Sequence, residues 1–275
     1  MIGRGISRTQ AGRLHTALGR LCGLEVAYDL FDADGEESFD FQGRFWRCAQ
    51  GGYRGVNVTH PFKLEVLQHC TPMASLPVSL RAVNTVLFDP DGPRAANTDY
   101  TGFLRAWWHR FGGKPPGRVL MVGAGGVGVA LGHALARLGA DEIVIHDKAV
   151  PVAVDLAAAI TRDGTSARLA NDLETEMEVA DGLVNATPVG MAQYPGNPFP
   201  ESKIGGQRWA FDAIYTPLET DFLRHCKARS VAQLSGFELF LYQGLDAFQI
   251  FTGFPVEREA GLAALRDEQQ RRSGA

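Results

Sequence analysis

Cysteine is scarce. There are four in 275 residues, Cys22, Cys48, Cys70 and Cys226, and no two form a C-x-x-C pair. That scatter excludes a disulfide framework, and without a Cys/His cluster at ligand spacing no metal is expected. Any block of Lys or Arg is also missing, and the net charge is −4. The chain therefore carries no electrostatic footprint for nucleic acid or anionic lipid, and neither partner is expected. No apolar run reaches the length of a signal-peptide core or a membrane span, so the expected address is the cytoplasm. Internal repeats and low-complexity tracts are absent as well.

What is present is an ordinary globular composition, 45% hydrophobic and 21% charged, in a chain long enough for one large domain or two of usual size. Apolar runs alternate with helical patterns, which predicts an α/β fold. Strand candidates are Val26–Leu30, Gly55–Thr59 and Val83–Phe88, with helical stretches at Ala11–Leu21, Phe41–Ala49, Lys63–His69 and Tyr100–Phe111. Lys114-Pro115-Pro116-Gly117 then punctuates the chain. Beyond it come strands Arg118–Val122 and Glu142–His146, and later Gly182–Asn185, Trp209–Ala213 and Val231–Leu234. Two helical patterns, Phe237–Phe251 and Val256–Gln270, close the sequence before a polar tail, Arg271–Ala275, that is expected to fray.

Gly123-Ala124-Gly125-Gly126-Val127-Gly128 fits G-x-G-x-x-G between a strand and a helix. Gly123 permits the tight turn, Gly125 a close backbone approach to a pyrophosphate, and Gly128 close packing of helix on strand. The helix N-terminus then offers unpaired N–H groups to phosphates. Asp147 ends the next strand, at the distance where a carboxylate accepts hydrogen bonds from the adenosine ribose and repels a 2′-phosphate. No Arg cluster follows, so NAD is expected in preference to NADP.

Three polar segments lie near strand ends in the first third: Asn57-Val58-Thr59-His60-Pro61-Phe62-Lys63, Val83-Asn84-Thr85 and Asn97-Thr98-Asp99-Tyr100-Thr101-Gly102. Such ends are where the loops of an α/β domain gather into a crevice. These segments resemble the N-V-T-x-P-x-K, A-x-N-T and N-T-D-x-x-G signatures of the shikimate dehydrogenase family, which includes quinate/shikimate dehydrogenases. Asn185-Ala186-Thr187-Pro188-Val189-Gly190-Met191, Asp212-Ala213-Ile214-Tyr215-Thr216-Pro217, Gly236 and Gln243 extend the match, in the family's order.

The resemblance implies a substrate domain at residues 1–101, a Rossmann-type NAD(P)-binding domain at 102–236 and C-terminal helices at 237–275 returning to the first domain. It implies reversible hydride transfer between NAD(P) and the ring 3-hydroxyl of a small cyclic hydroxy acid, shikimate or quinate. Lys63 and Asp99 match the catalytic pair. Ser7, Thr9, Thr59, Asn84, Tyr215 and Gln243 match substrate ligands. Thr187, Ile214 and Gly236 match positions beside the nicotinamide. A dehydrogenase for an aminated ring analogue and a non-catalytic sensor of the ring acid are the alternatives, and the protein is expected to be a monomer or a homodimer.

Two departures from the family pattern bear on substrate choice. The N-terminal element reads Ser7-Arg8-Thr9-Gln10, without the usual proline, with His15 slightly late. Leu239-Phe240 stands where Met-Leu is common, facing either cleft or core. Asp99 suits two roles at once, since Asp is also a favoured helix cap.

Overall fold

A computed structural model describes residues 1–36 and 38–273. The chain divides into two compact units, Met1–Gly102 with Leu241–Ala275, and Phe103–Phe240.

The first unit opens with β1 (Ile2–Gly3), α1 (Ala11–Leu21), β2 (Phe31–Asp32) and α2 (Phe41–Gln50). β3 (Gly55–Asn57), β4 (Thr71–Pro72), β5 (Thr85–Asp89) and β6 (Gly92–Ala96) follow. These last four form a mixed sheet in the order β3-β5-β6-β4, and β1 pairs with β2 in parallel. Asp40 caps α2 by accepting from the Gly43 N–H at 2.7 Å. Phe41, Phe45, Val56, Val58, Phe62, Val83 and Val86 make the core between α2 and the sheet. Truncating a fully buried ring such as Phe45 there costs about 3–5 kcal/mol.

Two sequence expectations fail in this unit. Val26–Leu30 forms no ladder, and only Phe31–Asp32 pairs, with Ile2–Gly3. The apolar side chains of that stretch are taken up by α1 instead: Val26 fills the space beside Gly19, and the Tyr28 ring stacks on His15 at 5.1 Å. Lys63–His69 is not one helix. Turns run to a 3-10 segment at Val66–His69, because the Lys63 carbonyl accepts from the Val83 N–H at 2.9 Å rather than opening an α-helical ladder.

α3 (Thr98–Phe111) carries the chain out of the first unit and α8 (Gly236–Thr252) brings it back, followed by α9 (Arg258–Ser273). Gly244 lets α8 meet Leu14 of α1, and Gly261 lets α9 meet Leu245. Arg20 of α1 pairs with Glu268 of α9. From Leu241 onward the C-terminal helices therefore belong to the first unit, while the start of α8, residues 236–240, belongs to the second. The expected frayed tail is helical as far as Ser273, and its last two residues lie outside the described residues.

The second unit is a six-stranded parallel sheet. Its strands are β7 (Arg118–Val122), β8 (Glu142–His146), β9 (Ala167–Leu169), β10 (Gly182–Asn185), β11 (Trp209–Asp212) and β12 (Ala232–Ser235). Their order is β12-β11-β10-β7-β8-β9, with α4 (Gly126–Arg137), α5 (Val150–Arg162), α6 (Leu173–Val179) and α7 (Asp221–Ala228) between them. The strands are nearly continuous apolar runs because helices cover both faces of such a sheet. Strand order reverses at the β7/β10 boundary, the place where α/β sheets of this kind take ligands. Trp107 is buried against Trp209, ring centroids 4.7 Å apart, whereas Trp108 is largely exposed and is not the packing residue its neighbour is. Among the described residues, no helix is long and apolar enough to cross a membrane.

Candidate active site

In the first unit, the turn after β3 and the start of α3 bring Lys63 and Asp99 together. Lys63 Nζ donates to Asp99 Oδ2 at 2.6 Å, and both residues are buried, 9% and 8% exposed. Breaking such a pair by removing one partner leaves an uncompensated charge, at a cost of about 3–5 kcal/mol. The two roles suggested for Asp99 separate here. Asn97 supplies the cap, its Oδ1 accepting from the Tyr100 N–H at 2.9 Å while its Nδ2 donates to the Ala82 carbonyl. Asp99 sits inside the first turn with its carboxylate on the lysine. An Asn three residues before the helix's third N–H is a cap signal that the N-T-D segment already carried.

Beside this pair runs a buried chain of amides and hydroxyls. Asn84 Oδ1 accepts from the Thr98 N–H at 2.7 Å and from the hydroxyls of Thr98 and Thr85 at 3.1 Å each. A backbone N–H can only donate, so the Asn84 amide is fixed with its oxygen inward, and its Nδ2 is the end left to donate elsewhere. Asn57 Nδ2 donates to Thr85 Oγ1 at 3.1 Å, and the Tyr28 hydroxyl donates to Asn57 Oδ1 at 2.7 Å. Thr98 reaches Gln243 Oε1 at 3.5 Å. A side chain at Gly102 would collide with the Gln243 backbone, so that glycine sets how closely α8 presents Gln243.

Ser7 and Thr9 lie on the segment between β1 and α1, and no hydrogen bond joins either to Lys63, Asp99 or Asn84. Thr9 Oγ1 accepts from the N–H of Ala11, the first residue of α1, at 3.3 Å. Thr59 is held beside β1, its N–H donating to the Ile2 carbonyl at 3.0 Å and its methyl filling the side-chain space of Gly3. His15, 3% exposed and stacked on Tyr28, is a core residue. Burial drops its pKa to about 4.

In the second unit, the loops after β7, β8, β10, β11 and β12 hold the remaining candidates. Gly123 has φ +102, and a side chain there would strike the Ala186 backbone. At Gly128 it would strike the Gly123 carbonyl. Nothing lies within 4 Å of the side-chain position of exposed Gly125, so the turn leaves room for a pyrophosphate against its backbone. Ala124 is buried and Val127 half-buried, fixing the turn to the sheet, while Gly126 is exposed as the first residue of α4. Asp147 spans the turn: Oδ2 accepts from the Ala124 N–H at 2.7 Å and Oδ1 from the Ala149 N–H at 2.8 Å.

Two residues of the family motifs that carried no assigned role, Asn185 and Asp212, tie the other loops together. Asn185 Oδ1 accepts from the Thr187 N–H and hydroxyl at 3.0 and 2.7 Å, and its Nδ2 donates to Asp212 Oδ1 at 3.0 Å. Asp212 also accepts from the Ile214 N–H at 3.1 Å and the Thr220 hydroxyl at 2.6 Å. Burial raises its pKa to about 6 against those hydrogen bonds. Gly236 presses against the Ala213–Ile214 backbone, and Tyr215 leaves the same loop. Among the described residues no group of His, Cys, Asp and Glu could hold a metal ion.

Known proteins are similar to this chain over nearly its full length. The profile of the shikimate dehydrogenase substrate binding domain matches residues 1–86. A shikimate dehydrogenase (NADP(+)) of Streptomyces avermitilis is 37% identical over 97% of both chains. The chain belongs to the shikimate dehydrogenase family. A quinate/shikimate dehydrogenase (NAD(+)) of Corynebacterium efficiens is 33% identical over 94% of both chains. Among solved structures, the quinate dehydrogenase of Corynebacterium glutamicum in complex with NAD superposes with a TM-score of 0.88 at 30% identity over 97% of both chains. Members similar to this chain thus divide between the two nicotinamide cofactors.

Proposed function

We propose that the protein is an NAD-preferring oxidoreductase for the ring 3-hydroxyl of shikimate or quinate. The observation that carries this reading is the buried Lys63–Asp99 pair at 2.6 Å beside the amide of Asn84. When bound, the nicotinamide supplies the hydride chemistry, and the protein has to manage the accompanying proton. In the reducing direction the Lys63 ammonium donates from Nζ to the oxygen that becomes a hydroxyl. In the oxidising direction neutral Lys63 takes that proton back. Asp99 keeps Nζ in place throughout, and Asn84, Thr59 and Gln243 hold ring hydroxyls, with Ser7, Thr9 and Tyr215 completing the ligand set.

For the cofactor, Gly123, Ala124, Gly125, Gly126, Val127 and Gly128 would receive the pyrophosphate, and Thr187, Ile214 and Gly236 the nicotinamide half. Asp147 supports NAD, since its carboxylate repels a 2′-phosphate. The protein acts as a soluble cytoplasmic enzyme, with no nucleic acid or membrane as partner.

The test is a matrix of catalytic efficiencies for shikimate, quinate and the aminated analogue with each cofactor. The expected result is turnover of shikimate or quinate, with NAD+ favoured by about tenfold or more, the worth of one charge contact. Equal efficiencies with the two cofactors remove the NAD preference, and turnover of neither ring acid removes the substrate class.

A further inference from the structure

We propose that Asp32 is a positioning residue that presets the Ser7–Thr9 segment for the ring carboxylate. The inference rests on the reading above, in which Ser7 and Thr9 belong to the ligand set, and it assigns their two hydroxyls to that carboxylate.

Asp32 is itself immobilised. On one side of it the Phe31 N–H donates to the Met1 carbonyl at 2.8 Å, and on the other the Ala33 N–H donates to the Gly3 carbonyl at 2.7 Å. From this fixed strand the carboxylate collects four backbone donors. Oδ1 accepts from the N–H groups of Gly5 and Asp34 at 2.8 and 3.0 Å, and Oδ2 from those of Ile6 and Ser7 at 3.0 and 3.1 Å. Three successive N–H groups turned to one point form a concavity that takes an anion. Here that concavity is filled by the protein's own carboxylate. A ligand carboxylate is therefore left with the hydroxyls of Ser7 and Thr9 rather than the loop backbone.

The segment is otherwise tied by single backbone hydrogen bonds, among them the Arg4 N–H to the His60 carbonyl at 2.9 Å. Gly3 and Gly5 lie within it, Gly5 at φ +67, and residues 2–10 contain no proline. Buried Ile6 anchors its middle, and the Thr9 N–H returns to the Ile6 carbonyl at 3.0 Å. Charge-assisted hydrogen bonds from three consecutive residues to one side chain fix both the direction of the turn and the place where Ser7 leaves it.

The experiment compares the ring acid with its methyl ester in the full-length Asp32→Ala, Asp32→Asn and Ser7→Ala variants, with cofactor KM and melting temperature measured in parallel. Asp32→Ala is expected to raise KM for the acid about tenfold while kcat and cofactor KM hold, and to lower the acid-over-ester preference about tenfold, the worth of a charge-assisted contact. Asp32→Asn, which keeps one acceptor oxygen, falls between, and it decides the matter if the alanine variant does not fold. An unchanged acid-over-ester preference in the Asp32 variants, with Ser7→Ala lowering it, overturns the inference alone. A lower KM for the acid in Asp32→Ala also overturns it, since the freed N–H groups would then serve the ligand better. If Ser7→Ala leaves the preference intact, the assignment of that hydroxyl fails and the inference with it.

Discussion

The ring of Phe240 lies flat on that of Tyr215, centroids 4.9 Å apart and planes 16° from parallel. Leu239 and Phe240 are 5% and 6% exposed, so the unusual Leu-Phe pair belongs to the packed interior of the second unit. Phe240 thus reaches the proposed substrate ligand Tyr215 directly, through its ring face. A stacked pair of this kind is worth about 0.5–1.5 kcal/mol beyond its buried area. Phe240→Leu is expected to lower kcat/KM for the ring acid by about two- to tenfold, with cofactor KM unchanged. Steady-state kinetics with each substrate varied in turn checks it, and a change confined to the cofactor would refute it.

Lys63→Ala removes the proposed proton donor while sparing Asn84, Thr59 and Gln243. Turnover is expected to fall by about 100- to 10,000-fold, the usual worth of a general acid or base, with the substrate dissociation constant changing far less. Single-turnover rates and equilibrium binding separate the two. Near-normal turnover sinks the role.

Asp147→Asn keeps a side chain of the same size against Ala124 and Ala149 but removes the charge. The NADP+/NAD+ ratio of catalytic efficiencies is expected to rise by about tenfold. A ratio that stays put shows that the preference is set elsewhere.

Two buried groups, one in each unit, couple stability to pH in opposite directions. His15 has a folded value of about 4, below 6.5 in the unfolded chain. Its contribution is whole above the unfolded value and is lost as pH falls towards the folded one, because the unfolded chain then takes up a proton that the native core refuses. Asp212 has a folded value of about 6, above its ordinary 3.8. Its contribution is whole below the lower value and is lost as pH rises through the higher one. Chemical denaturation across this range should show His15→Phe flattening the acid loss by up to about 3 kcal/mol. Asp212→Asn should remove a loss of similar size towards neutrality, at most about 3 kcal/mol. A parallel shift of the wild-type and variant curves at all pH values would contradict either statement.

Much of the second unit was legible because its strands are short apolar runs bounded by glycine and proline, and Arg118–Val122 and Glu142–His146 match the observed strands. The first unit was less so. Its strands are two to five residues long, and Val26–Leu30 has strand-like composition while spending its side chains on α1. The hairpin of β5 and β6 escaped notice because Gly-Pro-Arg-Ala-Ala has no strand pattern; it forms because β5 supplies a full antiparallel partner. Of the four donors to Asp32 only the Asp34 N–H is local, and those of Gly5, Ile6 and Ser7 lie 25 to 27 residues earlier in the chain, a separation no local pattern records.

The glycine turn and Asp147 could be read from order and spacing, because turn geometry and strand–helix succession are local properties, and the Asn-Thr segments around Lys63 and Asp99 from their resemblance to the family's signatures. Tertiary structure decided how those groups are used. It gave the cap to Asn97 and the lysine to Asp99, because only the folded chain sets the turn after β3 against the start of α3. It buried Phe240 on Tyr215 and tied the loop of Ser7 to Asp32. Those outcomes depend on which distant atoms come within about 3 Å, the reach of a hydrogen bond, and spacing along the chain carries no record of that distance.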